Sequence, residues 1–491
     1  MIGVVIPSIH YLALLPVLIF FGAALVLLVA SALVPDKLAL NVSTGVTAAA
    51  SAAVIVIALF QWHYIDLHGA TTTVAHAVVL DGFSVVGNVA IAAGVLLSAF
   101  VAHDWATRER IAGADFHILA LASSAGALLM VQANDLIVIF LGLEILSIGL
   151  YVLVGFDRHR RSSDEGALKY FVLGGFASAI FIYGAALVYG ATGSTNLSSI
   201  SYFLAENTVL RPGLLYAGGA LLLIGFAFKV AAVPFHAWSP DVYEGAPTPV
   251  TGVMASIVKV GAFAALLRVL ISALGTQLAT WRPILYVLIV LTCVVGASLA
   301  LVQRNVKRLL AYSSINQAGF MLLGVWAGTP RGVAATLFYV LTYTPVIIAT
   351  FAIVTLVGGR GDVNHGIDHY RGLARRQPWL GAALTVLLLT QLGAPLTIGF
   401  YAKFTVLASV IDAGGGALAL IAILSAAIAA FFYLRFALAL FADDDGEATR
   451  IAVPRASVIV IALGVVVSIL FGVWPGPLAA WVQHATLLFV P

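Results

Sequence analysis

Charged residues are scarce in this sequence. Only 9% of its 491 residues are Asp, Glu, Lys or Arg, whereas 62% are hydrophobic, and the mean hydropathy is +1.09. A soluble globular domain carries about 25% charged residues. The composition therefore excludes a soluble enzyme with a single anchor and indicates a polytopic membrane protein. The net charge of +3 is too small to indicate a nucleic-acid partner.

Cysteine is nearly absent. The single Cys293 lies in an apolar run and can form neither an internal disulfide nor a multi-thiolate cluster, so we interpret it as a small buried hydrophobic residue. The sequence also lacks a Walker loop and a GxGxxG motif after a strand. We therefore expect no redox centre, metal or nucleotide in this chain. The energy for transport must then come from partner subunits or from an ion gradient.

Long apolar runs dominate what is present. The first, from Tyr11 to Leu33, follows no basic segment and is too long for the core of a cleaved signal peptide, so we predict a retained membrane helix. About 20 apolar residues span a bilayer as a helix, and by this measure the chain has fourteen spans. Their expected limits are 11–34, 39–61, 81–103, 115–132, 135–156, 165–191, 214–238, 249–274, 282–303, 307–327, 332–357, 379–411, 416–441 and 453–480.

The seventh and twelfth spans are interrupted. Pro234 lies in the seventh, and Gly393, Pro395 and Gly399 lie in the twelfth. Proline removes a backbone donor and clashes with the carbonyl one turn earlier, so we expect both helices to be broken. Broken helices at corresponding positions indicate an inverted-repeat transporter. The two five-helix repeats would be spans 4–8 and spans 9–13, which have opposite topology because five is odd.

The expected fold is therefore an all-α polytopic membrane protein. We predict one integral membrane domain over residues 1–491. Helices 1–3 would occupy residues 1–110, and helix 14 would occupy residues 446–491. The first repeat would occupy residues 111–275, and the second repeat residues 276–445.

Basic residues are distributed unequally between the two ends of the spans. Three lie at one end, namely Arg211, Arg282 and Arg331. By the positive-inside rule the richer end faces the cytoplasm, which places both termini on the outer side. The fifteen residues at that end are Lys37, Arg108, Arg110, Arg158, Arg160, Arg161, Arg304, Lys307, Arg308, Arg360, Arg371, Arg375, Arg376, Arg450 and Arg455.

Three lone lysines lie inside apolar segments. They are Lys229 in the seventh span, Lys259 in the eighth and Lys403 in the twelfth. A charge at the centre of a membrane helix costs about 2.5–3.5 kcal/mol on insertion scales. Such residues do not stabilise the fold by themselves, so we expect them to line a path for ions or protons.

Glu144 and His236 accompany these lysines. Glu144 lies in the fifth span, and burial disfavours the charged form of both a carboxylate and an amine. A Glu near Lys229 would hold that lysine charged and could relay a proton electrostatically; the alternative is a static ion pair. His236 follows Lys229 by seven residues, nearly two helical turns, so we expect both on one face about 10 Å apart. Proton transfer or simple packing would explain this histidine.

Three further cations lie towards the ends of spans. Lys169 follows Glu165 by four residues, which predicts a helical ion pair or a lysine that snorkels to the interface. Arg268 and Arg435 lie near span ends, so we expect both side chains to snorkel towards water.

Five stretches form an ordered set of motifs along the chain: Asn134-Asp135-Leu136 through Glu144, EGALKYF at 165–171, KVAAVPFHAWSPDVYEGAPTPV at 229–250, KRLLAYSSI at 307–315 and GAPLTIGFYAKF at 393–404. Together they resemble the antiporter-like membrane subunits of respiratory complex I, the NDH-1 type of NADH–quinone oxidoreductase. Among these subunits the run PDVYEGAPTPV resembles the N-subunit family. The L subunits carry a long C-terminal extension, and the M subunits typically have Glu where this chain has Lys403.

The resemblance implies a role for each buried titratable residue. Glu144 and Lys229 match the pair of the first half-channel. His236 and Lys259 match the central connection, and Lys403 matches the outer half-channel. The family has a fourteen-helix core with inverted repeats and broken seventh and twelfth helices. Its members move protons across the membrane, and this movement is coupled to the reduction of quinone in other subunits.

The resemblance also implies partners and a location. Lys169 matches a cytoplasmic-side lysine of the sixth span. We expect partner subunits to hold NADH, FMN, iron–sulfur clusters and quinone. We also expect neighbouring antiporter-like subunits in the membrane as partners. The expected location is a bacterial plasma membrane. The alternatives are a monovalent cation/proton antiporter, a cation-driven small-molecule transporter and a passive spacer in the membrane arm.

Overall fold

The computed structural model describes residues 9–33, 36–111, 113–443, 450–485 and 487. The first and last residues of the chain, and with them the expected outward position of both termini, lie outside the described residues. The side chain of Lys37 also lies outside them.

The described residues form nineteen α-helices and one short hairpin. Strands β1 (Thr71–Thr73) and β2 (Val78–Leu80) pair antiparallel, with Thr71 opposite Leu80. The helices are α1 (Tyr11–Leu33), α2 (Asp36–His68), α3 (Gly82–Glu109), α4 (Asp115–Gln132), α5 (Leu136–Val154), α6 (Arg161–Thr192), α7 (Leu197–Glu206), α8 (Pro212–Lys229), α9 (Trp238–Gly245), α10 (Thr248–Leu267), α11 (Leu278–Leu301), α12 (Val306–Ala327), α13 (Pro330–Gly358), α14 (Leu373–Arg376), α15 (Pro378–Leu392), α16 (Ile398–Asp412), α17 (Gly416–Phe441), α18 (Arg455–Val473) and α19 (Gly476–Gln483).

The expected all-α membrane fold is confirmed, and each of the fourteen expected spans coincides with helical structure. Twelve helices of the described part are long and apolar enough to cross a membrane. The other two expected spans are the tenth and the twelfth. The tenth is helix α12, which carries more polar residues, and the twelfth is divided into helices α15 and α16. The division into two inverted repeats stays a prediction.

The seventh span is broken as expected. Helix α8 ends at Lys229, and Val230 caps it. Pro234 follows Val230 by four residues, so its ring would clash with the Val230 carbonyl if the helix continued. The chain resumes helical structure only at Trp238, where α9 begins.

The twelfth span is broken for the same reason. Helix α15 ends at Leu392, and Gly393 has a left-handed φ of 88°. Pro395 has no N–H to donate to the Gln391 carbonyl one turn earlier, which leaves that carbonyl without its helical partner. Gly399, which we placed in the interruption, lies instead inside α16.

Helices α10 and α13 form the centre of the molecule. The residues from Thr248 to Ala273 are all buried, and α10 packs against α3, α4 and α13. The outer helices, by contrast, expose apolar side chains around much of their circumference. Lys259 therefore lies in the middle of a helix that other helices cover on every side.

Basic residues gather at one end of the helices. Arg108 at the end of α3 donates to the Thr355 carbonyl near the end of α13 at 2.7 Å, and Arg160 and Lys307 both contact one loop carboxylate beyond α13. Arg282 and Arg331 lie at the opposite ends of α11 and α13. This distribution agrees with the expected asymmetry, and which end faces the cytoplasm stays a prediction.

Candidate functional site

Lys229 is the last residue of α8 and is buried, with 3% of its surface exposed. Its ammonium donates to Ser147 Oγ at 2.7 Å and to Tyr170 Oη at 3.0 Å. The ammonium also lies 5.1 Å from the centre of the Tyr170 ring, within range of a cation–π interaction. The lysine is therefore held by neutral oxygen atoms and an aromatic face.

Glu144 lies one helical turn before Ser147 on α5. It is close enough to attract Lys229 electrostatically, but the two make no ion-pair contact among the described residues. Its Oε1 is buried and accepts no hydrogen bond from any described group. The expected proximity of Glu144 and Lys229 is therefore an electrostatic one, and the direct contact of Lys229 on α5 is with Ser147.

His236 does not share a helical face with Lys229, so this expectation is wrong. The helix ends at Lys229, and His236 lies in the non-helical segment before α9. The break that the proline imposes removes the helical periodicity on which the expectation depended. The imidazole is partly buried, and its Nδ1 has no partner among the described groups.

Lys259 lies in the middle of α10 with 4% of its surface exposed. Its ammonium donates to the backbone carbonyl of Ser314 on α12 and lies 5.9 Å from the centre of the Tyr343 ring on α13. The lysine therefore bridges the helix that carries KRLLAYSSI to the central helix α10.

Lys403 lies on α16 and points back to the end of α15. Its ammonium donates to the carbonyls of Gln391 at 3.1 Å and Leu392 at 2.8 Å, and it lies 4.7 Å from the centre of the Phe320 ring. Carbonyls at a helix C-terminus are unpaired and carry partial negative charge, so they stabilise a cation. The helix break itself thus builds the site of this lysine.

Lys169 belongs to an ion-pair network at the basic-rich end. It contacts Glu165 at 2.6 Å, as expected, and also Asp241 on α9 at 2.7 Å. Arg308 on α12 contacts Asp241 and Glu244, each at 2.8 Å. The expected pair is therefore part of a larger cluster that connects α6, α9 and α12.

Sequence reasoning missed two of the three carboxylates of this network. Asp241 and Glu244 lie in the run PDVYEGAPTPV, and Arg308 lies in KRLLAYSSI. Both runs were singled out as motifs, but their charges were not paired. The two motifs match the same family and carry opposite charges, and this could have predicted that their side chains form ion pairs.

A second cluster surrounds Asp362, which lies in the loop after α13. The carboxylate contacts Lys307 at 3.3 Å and Arg160 at 3.1 Å, and Thr248 Oγ1 donates to it at 2.6 Å. Burial by itself raises the pKa of a carboxyl group, but Lys307, His365 and Thr248 hold the pKa of Asp362 well below its usual value. This carboxylate connects the starts of α10 and α12 to the segment before α6.

Arg268 is fully buried, so the expectation that it snorkels is wrong. It donates to both carboxylate oxygens of Asp81, at 3.1 and 2.8 Å, and to the Val131 carbonyl at 2.6 Å. Both charged side chains are at most 2% exposed. Helices α3 and α4 pack around the end of α10 and bury this position. The sequence of α10 alone does not show that other helices bury its end. Arg435 is exposed, as expected, and donates to the carbonyls of Leu301 and Gln303.

The sequence and the fold of this chain match known proteins. Residues 133–429 match the family described as NADH:quinone oxidoreductase/Mrp antiporter, TM. Subunit N 2 of the NADH-quinone oxidoreductase of Roseiflexus castenholzii is 38% identical over 99% of this chain and 98% of its own length. The chain belongs to the N-subunit family of the NADH-quinone oxidoreductases. The N subunit of Salinispora arenicola is 40% identical over 96% of this chain and 97% of its own length.

Solved structures share the fold of this N-subunit family member. A chain of respiratory complex I from Thermus thermophilus has a TM-score of 0.82 and 33% identity, and the match covers 96% of this chain and 100% of that one. A chain of the Mrp complex from a Dietzia species has a TM-score of 0.84 over 97% of both chains, but its 20% identity shows the fold alone.

Proposed function

We propose that this N subunit translocates protons across a bacterial plasma membrane, coupled to electron transfer from NADH to quinone in other subunits. The observation that supports this most is the setting of its three deeply buried lysines, each of which donates to neutral oxygen atoms. An amine bonded to hydroxyl or carbonyl oxygens can release its proton without breaking an ion pair. The residues that we propose to carry the path are Glu144, Lys229, His236, Lys259 and Lys403, with Lys169 at its inner end.

Each part of the path has a physical task. Lys229, Lys259 and Lys403 accept and release protons in turn, and water molecules bridge the distances between them. Glu144 favours the charged form of Lys229 and so controls when that lysine loads. His236 lies in the break after α8, where a non-helical backbone leaves groups free to hydrogen-bond.

Lys169 differs from the three buried lysines. Its two carboxylate partners compete with water for its ammonium, because its side chain is 40% exposed. We propose that the cluster of Glu165, Asp241 and Glu244 around Lys169 concentrates protons at the inner entrance. We also propose that both termini face outward, and that partner subunits hold NADH, FMN, iron–sulfur clusters and quinone.

The antiporter alternative is less well supported. Relatives at about 40% identity over nearly the whole chain are N subunits, whereas the Mrp chain shares the fold at 20% identity. If the chain is instead a passive spacer in the membrane arm, a double substitution of Lys259 and Lys403 will leave proton translocation normal.

Glu144→Ala is expected to reduce proton translocation driven by NADH oxidation several-fold in intact membrane vesicles. The reason is that Lys229 loses the only carboxylate that attracts it among the described residues. Glu206→Ala is the matched control, because Glu206 is exposed at the end of α7. Normal translocation in fully assembled Glu144→Ala complex would contradict the proposed role of Glu144.

Gly393→Ala is expected to reduce translocation by displacing Lys403. A methyl group at this position would lie 2.9 Å from Lys403 Cδ, and the left-handed φ of 88° adds backbone strain of about 1–2 kcal/mol. Gly414→Ala is the matched control, since Gly414 has φ of 83° and no atom within 4 Å of the added methyl group. If both variants pump equally at equal complex content, the displacement of Lys403 has no effect of its own on translocation, and the prediction is wrong.

A further inference from the structure

The carboxamide of Gln317 is fully hydrogen-bonded in the interior of the second half of the chain. Gln317 is 1% exposed on α12. Its Nε2 donates to the Gln391 carbonyl at 2.7 Å and to Tyr433 Oη at 3.0 Å, and its Oε1 accepts from Tyr339 Oη at 2.5 Å. A carbonyl oxygen can only accept, so the nitrogen of the amide must face Gln391. The orientation of the amide is thereby determined.

The Gln391 carbonyl is shared between this amide and a lysine. Pro395 cannot donate to it, so both of its lone pairs are free for tertiary contacts. Lys403 Nζ occupies one at 3.1 Å, and Gln317 Nε2 occupies the other at 2.7 Å. The amide and the ammonium therefore meet on a single oxygen atom.

A small cavity of about 20 Å³ lies beside Gln317, and Tyr343 and Gln391 are among the other residues that line it. Tyr343 Oη and Gln391 Oε1 are buried and have no partner among the described groups. Lys259 contacts the same helix as Gln317, since its ammonium donates to the carbonyl of Ser314, about one turn before Gln317 on α12.

We propose that Gln317 positions Lys403 for proton exchange with Lys259. The amide holds the Gln391 carbonyl in the place where it receives the Lys403 ammonium. Tyr339 and Tyr433 hold the amide in turn. Gln317 has no titrating group, so it acts through Lys403 and is a positioning residue. This inference rests on the proposed function and adds to it a residue on α12.

Two substitutions of Gln317 change the charge beside Lys403 in opposite ways. Gln317→Glu places a carboxylate near the ammonium and favours its charged form, so the pH profile of proton translocation is expected to move about one to three pH units upward. Gln317→Leu removes the donor that holds the carbonyl, weakens the binding of the ammonium and is expected to move the profile downward. A purely structural role predicts a loss of complex without opposite shifts.

Other titratable groups surround Gln317 and Lys403: Cys293 on α11, Tyr339 and Tyr343 on α13 and Tyr433 on α17. All of them are unchanged in the Gln317 variants, so they do not produce opposite shifts between the two variants. Helix α15 contributes backbone carbonyls, α12 contributes the Phe320 ring, and the charged residue of α18 is Arg455 at its first position.

The experiment measures NADH-driven proton translocation in vesicles between pH 6 and pH 9, at equal content of assembled complex. Asn316→Leu is the matched control, since it removes the adjacent buried amide, which donates to the Cys293 carbonyl on α11. Opposite shifts for Gln317→Glu and Gln317→Leu, with an unshifted Asn316→Leu, support the inference. Unshifted profiles for both Gln317 variants overturn it. Lys403→Ala is measured in parallel: normal translocation there refutes the proposed function, whereas its loss beside unaffected Gln317 variants refutes only this inference.

Discussion

Lys229→Met is expected to reduce NADH-driven proton translocation about tenfold or more, because positioned acid–base groups contribute about 100-fold or more to proton transfer. Methionine keeps the length of the side chain in the space between Ser147 and Tyr170. The complex should therefore assemble. Proton uptake by vesicles, divided by NADH dehydrogenation with an artificial acceptor, measures the effect for each assembled complex.

Lys229→Arg distinguishes two roles for this lysine. Arginine keeps the positive charge but does not release a proton at physiological pH. If Lys229 conducts protons, the arginine variant fails as the methionine variant does. Rescue by arginine would mean that Lys229 only polarises the path. Normal translocation by Lys229→Met would contradict both roles.

Arg268→Ala is expected to cost about 3–5 kcal/mol of stability, because it leaves the buried Asp81 carboxylate without its cation. The pair is bidentate, and the guanidinium also donates to the Val131 carbonyl and stacks over Phe83. The expected result is a large loss of assembled complex and a lower melting temperature in detergent. Arg268→Lys should recover only part of this stability, since an ammonium cannot form the fork of hydrogen bonds.

Two controls test whether burial is the cause. Arg331→Ala removes an ion pair with Asp412 in which both side chains are more than half exposed, and exposed pairs contribute about 1 kcal/mol or less. The double variant Arg268→Met with Asp81→Asn removes both buried charges and should be more stable than Arg268→Ala. Equal stability of Arg268→Ala and Arg331→Ala would show that the buried pair contributes little.

The lysines illustrate what could be predicted from sequence. Lys229 and Lys403 each lie beside a helix break because Pro234 and Pro395 cannot continue a helix, and this is a local property of the chain. Their immediate partners are not local. Ser147 and Tyr170 come to Lys229 from 82 and 59 residues away, through packing of α6 against both α5 and α8.

The errors have a common physical origin. His236 was placed by helical periodicity, which does not apply beyond Lys229, where α8 ends. Arg268 was placed by its distance from a span end, but its partner Asp81 lies 187 residues away and is brought to it by packing. In both cases a local rule was applied to a position that long-range structure controls.

The sequence by itself determined the membrane class, the fourteen spans, the two breaks, the isolated lysines and the family. Hydropathy, proline chemistry and motif order are properties of contiguous residues, so they can be read along the chain. Only the tertiary structure decided that the lysines donate to neutral oxygens, that Asp362 joins the helix ends, and that Gln317 and Lys403 share one carbonyl. Those contacts join residues that are distant in sequence, and the packing of the helices alone brings them together.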